Sequence, residues 1–210
     1  IAAATGLVCL RTTGIGFIMI TLAFAQMFFF LVVSLKLYGG DDGLSIDARS
    51  DFSPVNIQDN VTLYYVVLCI LVASLYLAHR LVNSPFGMVL RGCKTNERRM
   101  RALGFPTMRY KLVAYIISAM LCGVAGLLLA NLTKYASPEY SSWVRSGDLI
   151  LMIVIGGTNT LFGAVVGAIA LLSFEEILSS YTERWMAILG ILIFVMVLTT
   201  KQGLYGWFLS

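Results

Sequence analysis

Charge is scarce in this chain, and this scarcity defines the class of protein. Only 12% of the 210 residues are Asp, Glu, Lys or Arg, whereas 59% are hydrophobic and the mean hydropathy is +0.85. Soluble domains carry about 25% charged residues, so the composition excludes a soluble domain and predicts an all-α, polytopic transmembrane helical bundle. The net charge of +4 arises mainly from one loop and gives no reason to expect a nucleic-acid partner.

The sequence also lacks metal-binding, disulfide and nucleotide-binding motifs. None of its four cysteines forms a C-x-x-C pair or has a nearby histidine, which leaves neither a metal site nor a disulfide framework. No G-x-x-x-x-G-K-[ST] loop is present, so we expect no enzyme activity and no cofactor in this chain; if ATP drives it, another subunit binds the nucleotide and Mg²⁺. Its spans avoid deep ionisable residues, which disfavours an ion-coupled carrier.

Uncharged segments of membrane length predict the spans, because a spanning helix needs roughly 20 apolar residues. Residues 1–10 look like the end of one span, and four further segments qualify in whole or in part: 14–35, 61–78, 112–131 and about 185–200. The chain begins inside an apolar run without an initiator methionine. We therefore expect an N-terminally truncated fragment that lacks two or three further spans, and treat 1–210 as one transmembrane domain.

Another uncharged segment, residues 149–174, is too long for one crossing. As a single helix it would extend roughly 39 Å, and it contains G-G-T-N-T at 156–160. We predict a short helix to about Ile155, a glycine-rich bend and a return helix from Leu161. Interrupted helices in transporters expose backbone groups to substrate, although an ordinary turn explains the glycines equally well.

Residues 79–111, here called the basic loop, predict the orientation of the chain. They hold one acid, Glu97, and eight of the fifteen basic residues: Arg80, Arg91, Lys94, Arg98, Arg99, Arg101, Arg109 and Lys111. Short loops rich in Lys and Arg stay in the cytoplasm. The loops at 38–60, which is rich in aspartate, and at 133–148 should then lie outside, and we favour a cytoplasmic C-terminus.

The basic loop also has the signals of a short helix. We predict a helix that ends near Leu103, with Gly104 as its C-cap and Pro106 just beyond. Its cations would occupy two faces. The residues alone leave three interpretations open: a solvated loop, a coupling helix that docks into another protein, and a contact with anionic lipid.

Nine segments occur in an order that resembles a known family. They are L-R-T-T-G-I-G-F-I-M-I-T-L-A-F-A-Q-M at 10–27, G-G-D-D-G-L at 39–44, S-P-F-G-M-V-L-R at 84–91, N-E-R-R-M-R-A-L-G-F at 96–105, R-Y-K-L-V-A-Y at 109–115, A-G-L-L-L-A-N-L at 125–132, S-P-E at 137–139, G-G-T-N-T-L-F-G-A-V-V-G-A at 156–168 and K-Q-G-L-Y-G at 201–206. Together they resemble the permease subunits of branched-chain amino acid ABC importers.

This resemblance implies a multi-pass permease subunit of the bacterial inner membrane that translocates branched-chain or related hydrophobic amino acids. Its implied partners are a second homologous permease subunit, two cytoplasmic ABC ATPase subunits that bind ATP and Mg²⁺, an extracytoplasmic substrate-binding protein and membrane lipid. Close relatives import urea or short amides, and the quoted motifs do not separate these substrates from amino acids. An ion-coupled carrier is a less favoured alternative.

The family's ATPase-docking segment corresponds to residues 84–104. The resemblance implies a docking core of Arg91, Asn96, Glu97, Arg98, Ala102, Leu103 and Gly104. Thr95, Arg99 and Met100 depart from the family pattern, which has acidic or small residues there, so the docking surface is more basic than usual and its partner surface should be acidic. We place a candidate substrate path on Gly14, Gly16, Thr21, Gln26, Gly156, Gly157, Thr158 and Asn159.

Overall fold

The computed structural model describes residues 1–12, 14–35, 40, 43–45, 59–157, 161–181, 187, 188, 190 and 191. The elements, in chain order, are α1 (Ala2–Cys9), α2 (Ile15–Ser34), β1 (Leu44–Ser45), α3 (Asn60–Val82), α4 (Pro85–Ala102), α5 (Thr107–Thr133), β2 (Tyr135–Ala136), a 3₁₀ turn (Pro138–Ser141), α6 (Trp143–Gly156) and α7 (Leu161–Tyr181). The chain divides into two units, Ile1–Ser142 and Trp143–Ser210.

Within the described ranges, four helices are long and apolar enough to cross a membrane: α2, α3, α5 and α7. This confirms the all-α polytopic fold. Most of their large apolar side chains face outward, and of the residues in α3 only Leu63 is fully buried. Apolar surface of this kind is stable in lipid or against other membrane helices, so a large internal core is not required.

Two predicted spans are longer in the structure than in the sequence analysis. The helix predicted at 61–78 extends to Val82, and the one predicted at 112–131 begins at Thr107. Both extensions carry polar or basic residues past the apolar segment. His79 and Arg80 occupy the last turn of α3, where positive charge interacts favourably with the helix dipole.

One small β-ladder was not predicted. Leu44 and Ser45 pair antiparallel with Ala136 and Tyr135, directly after α5 ends at a left-handed Lys134. Strands of two residues are too short to show periodicity in a sequence. Most of the loop predicted at 38–60 and most of the last span predicted at about 185–200 lie outside the described residues.

In the second unit, α6 and α7 pack closely around Ile155 and Leu171. The predicted break is confirmed, because α6 ends at Gly156 and α7 begins at Leu161. The segment predicted as a loop at 133–148 is helical over part of its second half, since α6 already begins at Trp143. An i,i+3 ion pair between Arg145 and Asp148, with Nη1 and Oδ2 3.8 Å apart, accommodates the charges on this helix.

Glycines allow the two helices of this unit to approach backbone to backbone. A Cβ on Gly156 would overlap the carbonyl of Gly163, and one on Gly167 would overlap the carbonyl of Met152. Gly156 and Gly167 therefore allow the close contact between the two helices. Gly123 in α5 is different, because a Cβ there would meet no other atom within 4 Å in the described part of the chain.

Candidate functional site

The basic loop folds as an ordered helix, α4, between two spans. Ser84 is its N-cap: the Oγ accepts a hydrogen bond from the Gly87 amide at 3.4 Å, and Pro85 occupies the first helical position. A Cβ on Gly87 would overlap the carbonyl oxygen of Val82, so the turn from α3 to α4 is tight. This glycine and the S-P pair fix the direction in which the loop leaves α3.

The first part of α4 packs on its neighbours through apolar side chains. Val89 and Cys93 are buried, and the rings of Phe86 and Tyr110 lie 5.5 Å apart between α4 and α5. On the outer face, the Arg91 Nη2 donates to the Asn83 Oδ1 at 3.5 Å. The first part of α4 is therefore anchored independently of the charges further along.

Asn96 interrupts α4, which corrects the prediction of one continuous helix. Its backbone is extended, with φ −157° and ψ 97°, while its Oδ1 accepts a hydrogen bond from the Arg99 amide at 3.1 Å. Asparagine is a strong N-cap, so Asn96 ends one helix and caps the next. Residues 8 apart on a straight helix lie about 12 Å from each other, yet the Met100 side chain covers Gly92 because the second part folds back.

The second part of α4 ends as predicted. Gly104 has φ +86°, its amide donates to the Arg101 carbonyl at 2.9 Å, and the Phe105 amide donates to the Met100 carbonyl at 3.2 Å. This pair of bonds is a Schellman motif, which requires a left-handed residue and favours glycine. Leu103, next to it, leaves 66% of its surface exposed.

Four side chains, here called the Glu97 cluster, connect the second part of α4 to α5. Glu97 Oε2 lies 2.6 Å from Lys111 Nζ, and Glu97 Oε1 lies 2.6 Å from Arg101 Nη2. The buried hydroxyl of Thr107 donates to Glu97 Oε1 at 3.4 Å and accepts from Arg101 Nε at 3.3 Å. The hydrogen bonds from Lys111 and, next, from Arg101 hold the pKa of Glu97 below its ordinary value of 4.5.

The structure divides the predicted docking core into two groups. Six of its members are exposed: Arg91, Asn96, Arg98, Ala102, Leu103 and Gly104. Together with the exposed Lys94 and Arg99, these residues are here called the basic surface. Glu97 is different, because its side chain is only 23% exposed and both oxygens bond within the chain.

The candidate substrate-path residues lie in both units, each described by itself. Gly14 begins α2 at φ +66°, Gly16 and Gln26 are half-buried along it, and the Thr21 hydroxyl donates to the Phe17 and Ile18 carbonyls of its own helix. In the second unit, Gly156 and Gly157 are buried. Thr158 and Asn159 lie outside the described residues.

A pocket that the sequence analysis missed lies at the other end of α5 from α4. It has a volume of about 440 Å³ and a mainly apolar lining of Val32, Leu44, Ala136, Ser137, Pro138 and Tyr140. The S-P-E segment gave a partial signal, since Ser137 caps the 3₁₀ turn by accepting from the Glu139 amide at 3.2 Å. Across the residues that the structure describes, no group of three or more His, Cys, Asp or Glu side chains could hold a metal ion.

Comparison with known families decides the class of this membrane protein. A family model described as "Branched-chain amino acid transport system / permease component" matches residues 1–198. The chain belongs to this permease family. It is thus a multi-pass membrane protein from a family of transport-system permease components.

Curated relatives of this permease support the assignment. The chain is 28% identical to the high-affinity branched-chain amino acid transport system permease protein LivM of Salmonella typhimurium, over 95% of this chain and 52% of that protein. It is 33% identical to LivM of Escherichia coli over 69% of this chain and 34% of that protein, and 25% identical to a probable LivH of Methanocaldococcus jannaschii over 70% and 45%. The chain therefore spans about half the length of these relatives or less. No solved structure matches it significantly.

Proposed function

We propose that this permease is the translocation subunit of an ATP-driven importer for branched-chain or related hydrophobic amino acids. Its family and the names of its relatives support this substrate class over urea and short amides. The structural observation that carries the proposal is α4: an ordered helix with an exposed basic surface, held between two helices of membrane length. A loop that served topology alone would need neither its caps nor the Glu97 cluster.

The permease resides in the bacterial inner membrane with α4 in the cytoplasm. The eight cations of the basic loop support this orientation, because such loops are retained inside. A second, homologous permease subunit completes the substrate path, and an extracytoplasmic binding protein delivers the amino acid. The outward apolar faces of α2 and α3 contact lipid and the second subunit.

Two cytoplasmic ATPase subunits dock against the basic surface. Arg98, Arg99 and Lys94 are exposed and positively charged, so the matching groove should be acidic, and the exposed Leu103 supplies an apolar contact. The ATPases bind ATP and Mg²⁺ and perform the hydrolysis. Their closure moves α4 together with α3 and α5, and this movement shifts the population between outward-open and inward-open states.

The test is reconstitution of the natural full-length protein with its partners in proteoliposomes. Leucine, isoleucine and valine should be taken up and should stimulate ATP hydrolysis when the loaded binding protein is present, whereas urea and acetamide should not. ATPase subunits with an inactivated nucleotide site serve as the control and should abolish uptake. Uptake of urea alone, or uptake driven by an ion gradient without ATP, would contradict the proposal.

A further inference from the structure

We infer that Glu97 is a positioning residue that ties the second part of α4 to α5, and that it is not a contact for the ATPase. This inference deepens the proposed function and rests on it. It changes the role of the residue that the family resemblance placed in the docking core.

Both oxygens of Glu97 are engaged inside the chain. Oε2 pairs with Lys111 and Oε1 with Arg101, each at 2.6 Å, and Thr107 donates a further hydrogen bond to Oε1. Charge-assisted bonds of this length are among the strong ones. A partner cation that approached Glu97 would have to compete with Lys111, which belongs to a span, and with Arg101, which belongs to α4, for a carboxylate that is only 23% exposed.

The second part of α4 has little else to hold it. The buried residues of α4, which are Gly87, Val89 and Cys93, all precede the interruption at Asn96. After it, Met100 over Gly92 is the main apolar contact, while Ala102 and Leu103 are exposed. The polar connections from residues 97–102 to α5 are thus the ion pair between Glu97 and Lys111 and the hydroxyl of Thr107, which bonds to both Glu97 and Arg101.

This position gives the cluster a mechanical role. Most residues of the basic surface, such as Arg98 and Leu103, lie at or after the Asn96 interruption, so a load applied to them acts on the second part of α4. Without these side-chain contacts, only the short turn at residues 103–106 would join the segment to α5, and the segment could bend at Asn96 with less movement of the span. With Glu97 bound to Lys111 and Thr107, displacement of the segment carries the first turn of α5 with it.

The decisive experiment uses the full transporter with four variants of this subunit: E97Q, K111M, the double variant E97Q/K111M, and R109M. Arg109 is the matched control, an exposed cation in the same turn of α5 and outside the Glu97 cluster. Three quantities are measured for each: ATPase subunits retained on purification, amino acid transported per ATP hydrolysed, and hydrogen exchange of residues 97–103. The exchange measurement requires no transport.

We expect E97Q and K111M each to lower the transport per ATP several-fold and to accelerate exchange of 97–103, with ATPase retention unchanged. The double variant should be no worse than either single one, because residues that act as a pair are non-additive. R109M should match the wild type. Loss of ATPase retention in E97Q but not in K111M would overturn the inference in favour of docking, and so would unchanged exchange in both single variants. A wild-type complex that transports no amino acid, with the same exchange pattern, would overturn the proposed function and leave the connection established.

Discussion

Two pairs of helices in this chain are held together by different contacts: close backbone packing at glycines in one pair and an ion pair in the other. Helices α6 and α7 meet where Gly156, Gly163 and Gly167 allow their backbones to touch, whereas the second part of α4 is bound to α5 by the ion pair between Glu97 and Lys111. The solvent explains the difference. Between membrane helices lipid offers no hydrophobic driving force, so close packing must supply the attraction, while charged groups are tolerated where water reaches them.

Substitutions that disrupt the two kinds of contact should have different energetic costs. A glycine contact is steric, so any added side chain displaces backbone, and the energetic cost is large. A partly exposed ion pair is screened and contributes little, typically about 0.2–1 kcal/mol. The glycine contact therefore determines whether the unit folds, and the charged contact determines how firmly two folded elements move together. Four predictions test this difference, ordered from the largest expected effect, which is steric, to the smallest, which is electrostatic.

Replacing Gly167 by leucine should have the largest effect. A Cβ there already overlaps the carbonyl of Met152, so the side chain forces α6 and α7 apart. Overpacking of this kind typically costs about 1–3 kcal/mol and occasionally more, and the backbone contact places this variant at the upper end, so the thermal midpoint of the purified protein in detergent should fall. Gly126→Leu is the control, because nothing in the described structure lies within 4 Å of a Cβ at that position. Equal midpoints for the two variants would contradict the steric explanation.

Replacing Gly104 tests the end of α4, where conformation matters and space does not. Its φ of +86° is left-handed, and a Cβ would meet no described atom within 4 Å. A proline cannot adopt this φ and also removes the hydrogen bond to Arg101. Gly104→Pro should abolish uptake while membrane insertion, measured by fractionation, stays normal. Gly104→Asn should retain most uptake because asparagine tolerates the left-handed region, and normal transport by the proline variant would remove the docking assignment.

Replacing Asn96 tests the interruption of α4. Asn96→Ala removes the side-chain oxygen that accepts from the Arg99 amide, and loss of an N-cap costs about 1 kcal/mol. Hydrogen exchange of residues 97–103 should accelerate, whereas Asn96→Asp, which keeps an acceptor, should resemble the wild type. If alanine and aspartate gave the same exchange rates, the capping role would be wrong.

The sequence predicted the fold better than it predicted the site. The length of the uncharged segments was enough to locate α2, α3 and α5. Lipid requires that a spanning segment satisfy its backbone hydrogen bonds internally and carry almost no charge. The Gly104 cap and the break after Gly156 were also predicted, since glycine at a helix end has a local cause. The apolar segments underestimated the C-terminal end of α3 and the N-terminal end of α5. Both helices continue beyond the apolar segment into polar and basic residues.

The roles of individual residues in α4 could not be predicted, because they depend on contacts between residues that are far apart in the sequence. Glu97 meets Lys111 fourteen residues away, and the direction of its side chain depends on the extended backbone of Asn96. The acid stands alone among eight cations, a pattern that indicates an ion pair without naming the partner. A family resemblance groups Glu97 with Arg98 and Leu103 by position in the chain, while the folded segment turns them to different sides.

The smallest expected effect is the dependence of the Glu97 contact on pH. Because Lys111 and Arg101 lower the pKa of Glu97 in the folded protein, its unfolded-state pKa is the higher one, near 4.5. The ionised contact thus contributes its full stability above pH 4.5 and loses it as the pH falls through the lowered folded pKa. Wild-type protein should exceed E97Q by about 0.5–1 kcal/mol at neutral pH, and the two thermal midpoints should converge only in acid below pH 4.5. The R109M variant should follow the wild-type profile throughout. A wild-type advantage that disappeared between pH 6 and pH 8 would mean that some other group holds this contact, since Glu97 stays ionised across that whole interval.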